Sequence, residues 1–446
     1  MRYTLLLATI LFSASAFLLP LSASAGQHNT GGNDDLIIEI KQGVVRPITL
    51  AVANFNSKNV QVAKQLDKIV RNNLRLSGHM TALKAKDMPN QPFRNEQIIY
   101  PAWRKSAAEY LIFGEITRDR RNKYQMNISV ADILSGKIRD SKIFKFNGRY
   151  TRDFGHYISD YVYKVITGLD GSFSTKIAYV KRTQSRGKRF YKLIIADADG
   201  AREKVIVSSD EPLSSPAWSP DSKKITYVSF ENGRSNIFIQ DIVSGRRQLI
   251  TDFKGINSAP AWSPDGKTLA VVLSQGANAD IYLIDIKSGN YKRVTRHKDI
   301  DTEPSWSKDG SKVIFTSDRT GRPQIYEYDL DGAKIKRLIK NNSYSASAHY
   351  THNDEEVIMI NVLEGKYSVI MYNLASKKVT RISKTSLDDS PSVSPDGNRV
   401  IYSTKSGRRN VLAIASVDLG NSVFLNSVRG DVTSVAWSPF IFKFSF

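Results

Sequence analysis

Ser258-Ala-Pro-Ala-Trp-Ser-Pro-Asp-Gly266 is the stretch that decides the fold of this chain. Its phrase recurs at Trp218-Ser-Pro-Asp221 and at Trp306-Ser-Lys-Asp-Gly310, each 44 residues from Trp262. The register continues through Tyr350, 44 residues on, Val393 before Ser394-Pro-Asp-Gly397, 43 on, and Trp437-Ser-Pro439, 44 on. A fixed period of about 40–50 residues marks stacked units, none of which buries its own faces alone. One period reads as four strands. Ser258–Trp262 is an innermost strand, and Ser263-Pro-Asp-Gly266 is a tight turn in which Pro and Asp preset the backbone and Gly accepts a positive φ. Thr268–Ser274, Asp280–Ile286 and Tyr291–Thr295 follow as further strands, the last two joined by Lys287-Ser-Gly289. Four short antiparallel strands of this spacing make a β-propeller blade.

Six phrases predict an all-β six-bladed β-propeller over residues 173–446. The first blade has three strands at its start, Lys176–Lys181, Tyr191–Asp197 and Glu203–Val207, and no Trp phrase of its own. Its missing strand is Val432–Trp437, so the C-terminal strand is expected to close the ring and remove an open sheet edge. The repeated Trp reads as a wedge between blades; a fully buried one hides about 150–250 Å², worth at most roughly 4–6 kcal/mol.

Residues 47–172 read as a separate α/β domain. A strand at Pro47–Asn54 precedes an amphipathic helix, Val60–Leu76, whose Val62, Leu66, Ile69, Val70 and Leu74 share one stripe, with Gly78 as its left-handed cap. A short helix starts near Pro101, strands follow at Tyr110–Thr117, Tyr124–Asp132 and Ile138–Phe146, and a last helix runs from Phe154 to Thr167. Upstream, residues 26–46 read as a flexible arm, polar and Gly-rich to Asp34, with a strand-like Leu36–Ile40. Residues 1–25 have the form of a secretion signal: Arg2, an apolar Leu5–Leu21, and Ala23-Ser-Ala25 as a cleavage site, with Gly26 the first mature residue. An uncleaved anchor is the alternative; Ser13, Ser15 and Pro20 interrupt the apolar run and favour cleavage. No later segment is apolar for long enough to span a bilayer.

The chain has no cysteine, which excludes disulfides, thiolate catalysis and thiolate metal sites. Its 64 Lys and Arg against 43 Asp and Glu give +21, with the cations scattered rather than gathered in one run. That balance reads first as a compositional bias of a solvated surface; as a partner signal it favours anionic envelope polymers or lipid head groups over nucleic acid, which is not expected as a partner. No Gly-x-Ser-x-Gly elbow is present, and no cofactor motif. His349 and His352 are three apart, but His352 replaces the turn Pro and reads as solvated, while His349 falls near the ring axis. Asp197-Ala-Asp-Gly200 lacks the later ligands of a calcium loop and repeats the hairpin turns at Asp241, Asp285 and Asp329. The acids of the repeated turns are copies, whereas an enzyme needs one site.

The loops entering each inner strand vary around a constant scaffold, which is where binding surfaces arise. Asp301, Glu303, Asp388 and Asp389 there suit basic groups of a protein partner.

Several phrases resemble the TolB family of exported envelope proteins. The junction carries the likeness best: His156-Tyr-Ile-Ser-Asp160, Tyr163, Thr167-Gly168, Gly171-Ser-Phe173 and Thr175-Lys-Ile-Ala-Tyr-Val180. Thr302-Glu-Pro304, Thr316-Ser-Asp-Arg319, Gly321-Arg-Pro-Gln-Ile-Tyr326 and Ala436-Trp-Ser-Pro439 agree with it. The resemblance implies a monomeric, non-enzymatic periplasmic member of the Tol–Pal system without cofactor or metal. It implies binding of the lipoprotein Pal at the propeller mouth, through Ile256, Asn257, Ser258, Ala259, Thr302, Glu303, Pro304, Asp388 and Asp389. It implies engagement of TolA by the arm, through Asp35, Leu36, Ile37, Ile38, Glu39 and Ile40, in support of outer-membrane integrity and constriction at division. The long polar start and the apolar Phe440–Phe446 depart from that family's pattern. The competing readings are a propeller that binds or hydrolyses cell-wall glycan, which needs one convergent carboxylate pair, and a purely structural scaffold.

Overall fold

The computed structural model describes residues 46–119, 122–275, 278–340, 344–425, 428 and 430–440. The signal with its Ala25–Gly26 cleavage point, the arm residues Asp35 to Ile40 and all of the terminal extension after Phe440 lie outside them.

Six strands form the first sheet: β1 (Ile48–Val52), β2 (Asn56–Ser57), β3 (Met80–Ala82), β4 (Tyr110–Arg118), β5 (Lys123–Asp132) and β6 (Lys137–Asn147). Their order is β3-β1-β4-β5-β6, with β2 beside β4. β1 runs parallel to β3 and β4, and β4, β5 and β6 form an antiparallel meander. The expected helix forms as α1 (Val60–Leu76), capped by Asn59, whose Oδ1 accepts from Val62 N at 3.3 Å. Gly78 follows at φ +73°, a backbone that a Cβ would strain. Leu66, Val70 and Leu74 of α1 meet Phe154, Ile158 and Val162 of α3 (Thr151–Thr167) in one core against the sheet. The other face holds Trp103, from the short α2 (Tyr100–Trp103), against Leu111 and Phe113. β2 and β3 are too short for any alternation to be read from their sequence.

Six four-stranded sheets follow. The first contains β7 (Lys176–Ser185), β8 (Lys188–Asp197) and β9 (Lys204–Ser209), with Asp431–Trp437 as its innermost strand. That closing strand pairs antiparallel with β7, Val432 opposite Lys181 and Trp437 opposite Ile177. Asp431 forms an ion pair with Arg182, and Ser438 N donates to Lys176 O at 2.9 Å. The ring therefore closes through the chain's far end, and β7 has no free edge.

Every inner strand breaks register at the same point. The residue at the break is left-handed in all six: Ser215, Ala259, Glu303, Ser347, Ser390 and Ser434, with φ between 47° and 55°. None is glycine, so each blade carries some backbone strain beside the axis.

The aromatic wedges differ from the expected uniform burial. Trp218 and Trp437 are buried, whereas Trp262 and Trp306 are half-buried and face the central channel. Three indole N–H groups cross to the preceding blade: Trp218 to Ala436 O at 3.2 Å, Trp262 to Thr226 Oγ1 at 3.2 Å and Trp306 to Ala261 O at 3.1 Å. Trp437 instead donates to Thr175 Oγ1 at 2.7 Å, in the segment leading into β7. No described helix is long and apolar enough to cross a membrane.

The α/β layer rests on the seam between the sixth and first blades. Arg399 of the sixth blade is 3 % exposed, stacked between the rings of Phe173 (4.3 Å) and Trp437 (5.0 Å). It donates to Ser172 Oγ at 2.5 Å and lies 3.9 Å from Asp396 Oδ2. Nearby, Asp160 of α3 accepts from Phe173 N at 2.6 Å and Ser174 N at 3.1 Å; burial pushes its carboxyl up to about 6, against the pull of those hydrogen bonds and of Arg399.

A second junction contact forms at Asp197, read above as a plain turn acid. It is 1 % exposed and takes Arg152 Nε at 2.7 Å, Lys176 Nζ at 2.5 Å and Arg202 Nε at 2.8 Å, while His156 Nε2 lies 3.4 Å away. Burial opposes its charge, but the His156 and Arg202 hydrogen bonds and the Lys176 charge hold the carboxyl well below the usual range. His156, Asp197 and Asp199 are close enough to suggest ligands of one ion. The carboxylate oxygens of Asp197 and Asp199 are turned to Arg152, Lys176, Arg202 and the Ala201 N–H, so the group is an ion cluster joining the domains.

Candidate functional site: the acidic mouth of the propeller

The entering loops gather carboxylates because equivalent positions of neighbouring blades converge on the axis. Glu303, Asp318, Asp388 and Asp389 line one cleft, together with Tyr344 and Tyr367. Glu303 bridges blades: its carboxylate accepts from Thr316 Oγ1 at 2.8 Å, Ser347 N at 2.8 Å and Ser347 Oγ at 2.7 Å. All three donors are neutral, so these bonds leave its negative charge in place. Asp388 is 1 % exposed; Ser383 Oγ donates to its Oδ2, and its Oδ1 has no hydrogen-bond partner among the described residues. An orphaned buried carboxylate oxygen is costly and invites a donor from outside.

Burial, then the Glu303 charge, pushes the Asp389 carboxyl up to about 6. Burial also raises Asp318, helped by Asp299, Asp301 and Glu303. A carboxyl whose folded pKa exceeds its unfolded value of about 3.9 binds more protons when folded, so stability falls as pH rises from about 4 to about 6. Replacing Asp389→Asn is therefore expected to stabilise the protein by about 1–2 kcal/mol at pH 7.5 and by little at pH 4. Thermal melts at both pH values check this, and a variant no more stable at pH 7.5 would remove the claim of crowded charge.

The other residues singled out in the sequence fall in different places. Asp301 is buried and held by both oxygens on Arg319 at 2.8 Å, so it is not free for a partner. Arg319 is itself braced 4.6 Å over Tyr326. Asn257 is buried and spends its amide on Phe253 O at 2.8 Å and Gly255 O at 3.3 Å. Ile256 packs into the core between blades. Ser258 and Ala259 follow it on the same inner strand, and Ala259 lines the central channel. Thr302 lines the acidic cleft, and buried Pro304 lines the channel.

The channel itself, about 520 Å³, is ringed by Trp218, Trp262, Trp306, Tyr350, Val393 and Trp437. His349 lies within it, 3.3 Å from Ser305 Oγ, and desolvation pushes its pKa down to about 4. His352 is exposed on its turn, as expected from the repeat. The acidic cleft is narrow, with a volume of about 30 Å³, and shares Glu303 and Ser347 with the channel. Arg319 and Ser383, which tune the mouth, were not recognisable in sequence as its neighbours; the only available signal was a lone Arg in a loop rich in Asp.

Residues 163–441 match the model of the TolB beta propeller domain, and residues 36–139 match that of the TolB amino-terminal domain. The chain belongs to the TolB family. Its TolB relatives include a Tol-Pal system protein TolB from Hahella chejuensis, 55 % identical over 91 % of this chain and 95 % of that protein. A second, from Marinomonas, is 38 % identical over 49 % of this chain and about half, 51 %, of its own length. The crystal structure of TolB from Acinetobacter baumannii superposes with a TM-score of 0.82 at 35 % identity, covering 91 % of this chain and all of that one.

Proposed function

We propose that this chain is a non-enzymatic periplasmic adaptor of the Tol–Pal system. In this reading the acidic mouth binds the lipoprotein Pal, and the arm of residues 26–46 engages TolA. Together they support outer-membrane integrity and envelope constriction. The name Tol-Pal system protein TolB, carried by a relative aligned along nearly the whole chain, supports the system. The observation that carries the site is the mouth: carboxylates crowded together and held by neutral donors keep negative charge at an energetic disadvantage until basic groups arrive.

Calorimetric titration with purified Pal tests it. Charge reversal at Glu303→Lys and Asp389→Lys should weaken binding at least about tenfold, close to 1.4 kcal/mol. Unchanged affinity would remove the mouth as the Pal site. The same titration without residues 26–46 tests whether arm and mouth are coupled, since any effect of one ligand on the other must be reciprocal. Equal affinities would leave the arm and the propeller independent.

A further inference from the structure

We propose that the β5–β6 side of the N-terminal sheet docks on an anionic lipid bilayer. Residues 118–149 carry nine Lys and Arg against three Asp, a local balance of +6 within a chain of +21. Arg118, Lys123, Lys137, Arg139, Lys142 and Lys145 form no ion pair with a carboxylate among the described residues. Arg118 and Arg139 lie over the rings of Tyr124 and Tyr110, and Lys142 over Phe144 and Tyr161. These contacts orient the cations without neutralising them. Of the acids, Asp132 accepts from Ser135 N at 2.9 Å and Asp140 from Tyr161 OH at 2.9 Å; these neutral donors leave the carboxylate charges in place, and the balance of +6 already counts them.

The geometry adds a second argument. β6 is the last strand of its sheet and has no further neighbour among the described residues. Residues 139–143 are all exposed, as no central strand would be. Lysines on an edge strand are a common guard against edge-to-edge pairing. A guard does not need exposed apolar side chains, yet Leu134 at the hairpin tip is 83 % exposed and Ile143 58 % exposed. Cations flanking apolar groups along about 35 Å of strand match a head-group layer over acyl chains. A soluble polyanion would use the charge alone, and an acidic protein would have to cover both.

Co-sedimentation of the full chain with vesicles tests the assignment. Vesicles with about 30 % phosphatidylglycerol should bind, pure phosphatidylcholine should not, and binding should fall at least about tenfold between 50 and 300 mM salt. The variant Lys137→Glu, Arg139→Glu, Lys142→Glu, Lys145→Glu should lose binding at least about tenfold. The same number of reversals on propeller turns, at Lys223, Lys267, Lys287 and Lys377, should leave it within about twofold. Leu134→Ser should weaken vesicle binding but leave any binding to dextran sulfate unchanged. Equal loss in both fourfold variants, binding to neutral vesicles, or binding to dextran sulfate alone would each overturn the proposal.

Discussion

A chain cut before Thr433 is expected to aggregate rather than to lose a fraction of its stability. The cut strips β7 of its neighbour from Ile177 to Val180, exposing an edge whose Ile177 and Tyr179 belong to the core shared by the first and sixth blades. It also removes Val435 and Trp437 from that core. The milder Trp437→Ala keeps the strand but opens a cavity, removes the donor to Thr175 Oγ1 and bares one face of Arg399, at about 3–5 kcal/mol. Size-exclusion chromatography of the truncated chain and denaturant unfolding of Trp437→Ala measure the two. A truncated chain that stays monomeric with an unchanged melting temperature would show that the seam is not what closes the ring.

Arg399→Ala should cost about as much, roughly 3–5 kcal/mol, for a different reason. The guanidinium is the buried cation beside Asp396 and among the charges that favour ionised Asp160, and it also fills the space between Phe173 and Trp437. Removing it leaves carboxylates without a cation and two rings without packing. Arg399→Lys keeps the charge and loses the planar stack, so it should recover only part of the loss. Because Arg399 touches the segment at Ser172–Phe173 and the closing strand together, limited proteolysis between Thr167 and Lys176 should accelerate in the Ala variant. Unfolding within about 0.5 kcal/mol of the parent would mean that the seam and the junction are held by other contacts.

Repetition made the propeller legible. A Trp or its substitute every 43–44 residues gives blade number, inner strand and turn together, and the incomplete first period gives the closure. The α1 stripe was equally plain, and its bounds agree with Val60–Leu76. Legibility failed where partners lie far apart in the chain. Asp197 looked like one more hairpin acid, because nothing local reveals that Arg152 and His156, more than forty residues earlier, fold onto it. Arg399 followed a Ser-Pro-Asp-Gly turn like any other polar residue, and its two rings come from positions 173 and 437. At the mouth, residue type was readable but availability was not: Asp301 and Glu303 stand two apart, yet only Asp301 meets an arginine. The half-exposure of Trp262 and Trp306 was hidden for a related reason, since periodicity locates a side chain without saying how closely the facing blade covers it.

Closure by Asp431–Trp437 also imposes a timetable on biogenesis. Five sheets draw all their strands from continuous sequence and are free to form as the polypeptide emerges, whereas the sheet begun at Lys176 waits for residues made about 250 positions later. Throughout that interval the nascent molecule displays a sticky β7 border, and a holding chaperone has one obvious strip to cover. Maturation of the ring is thus gated by the arrival of Asp431–Trp437, about 250 residues after Lys176.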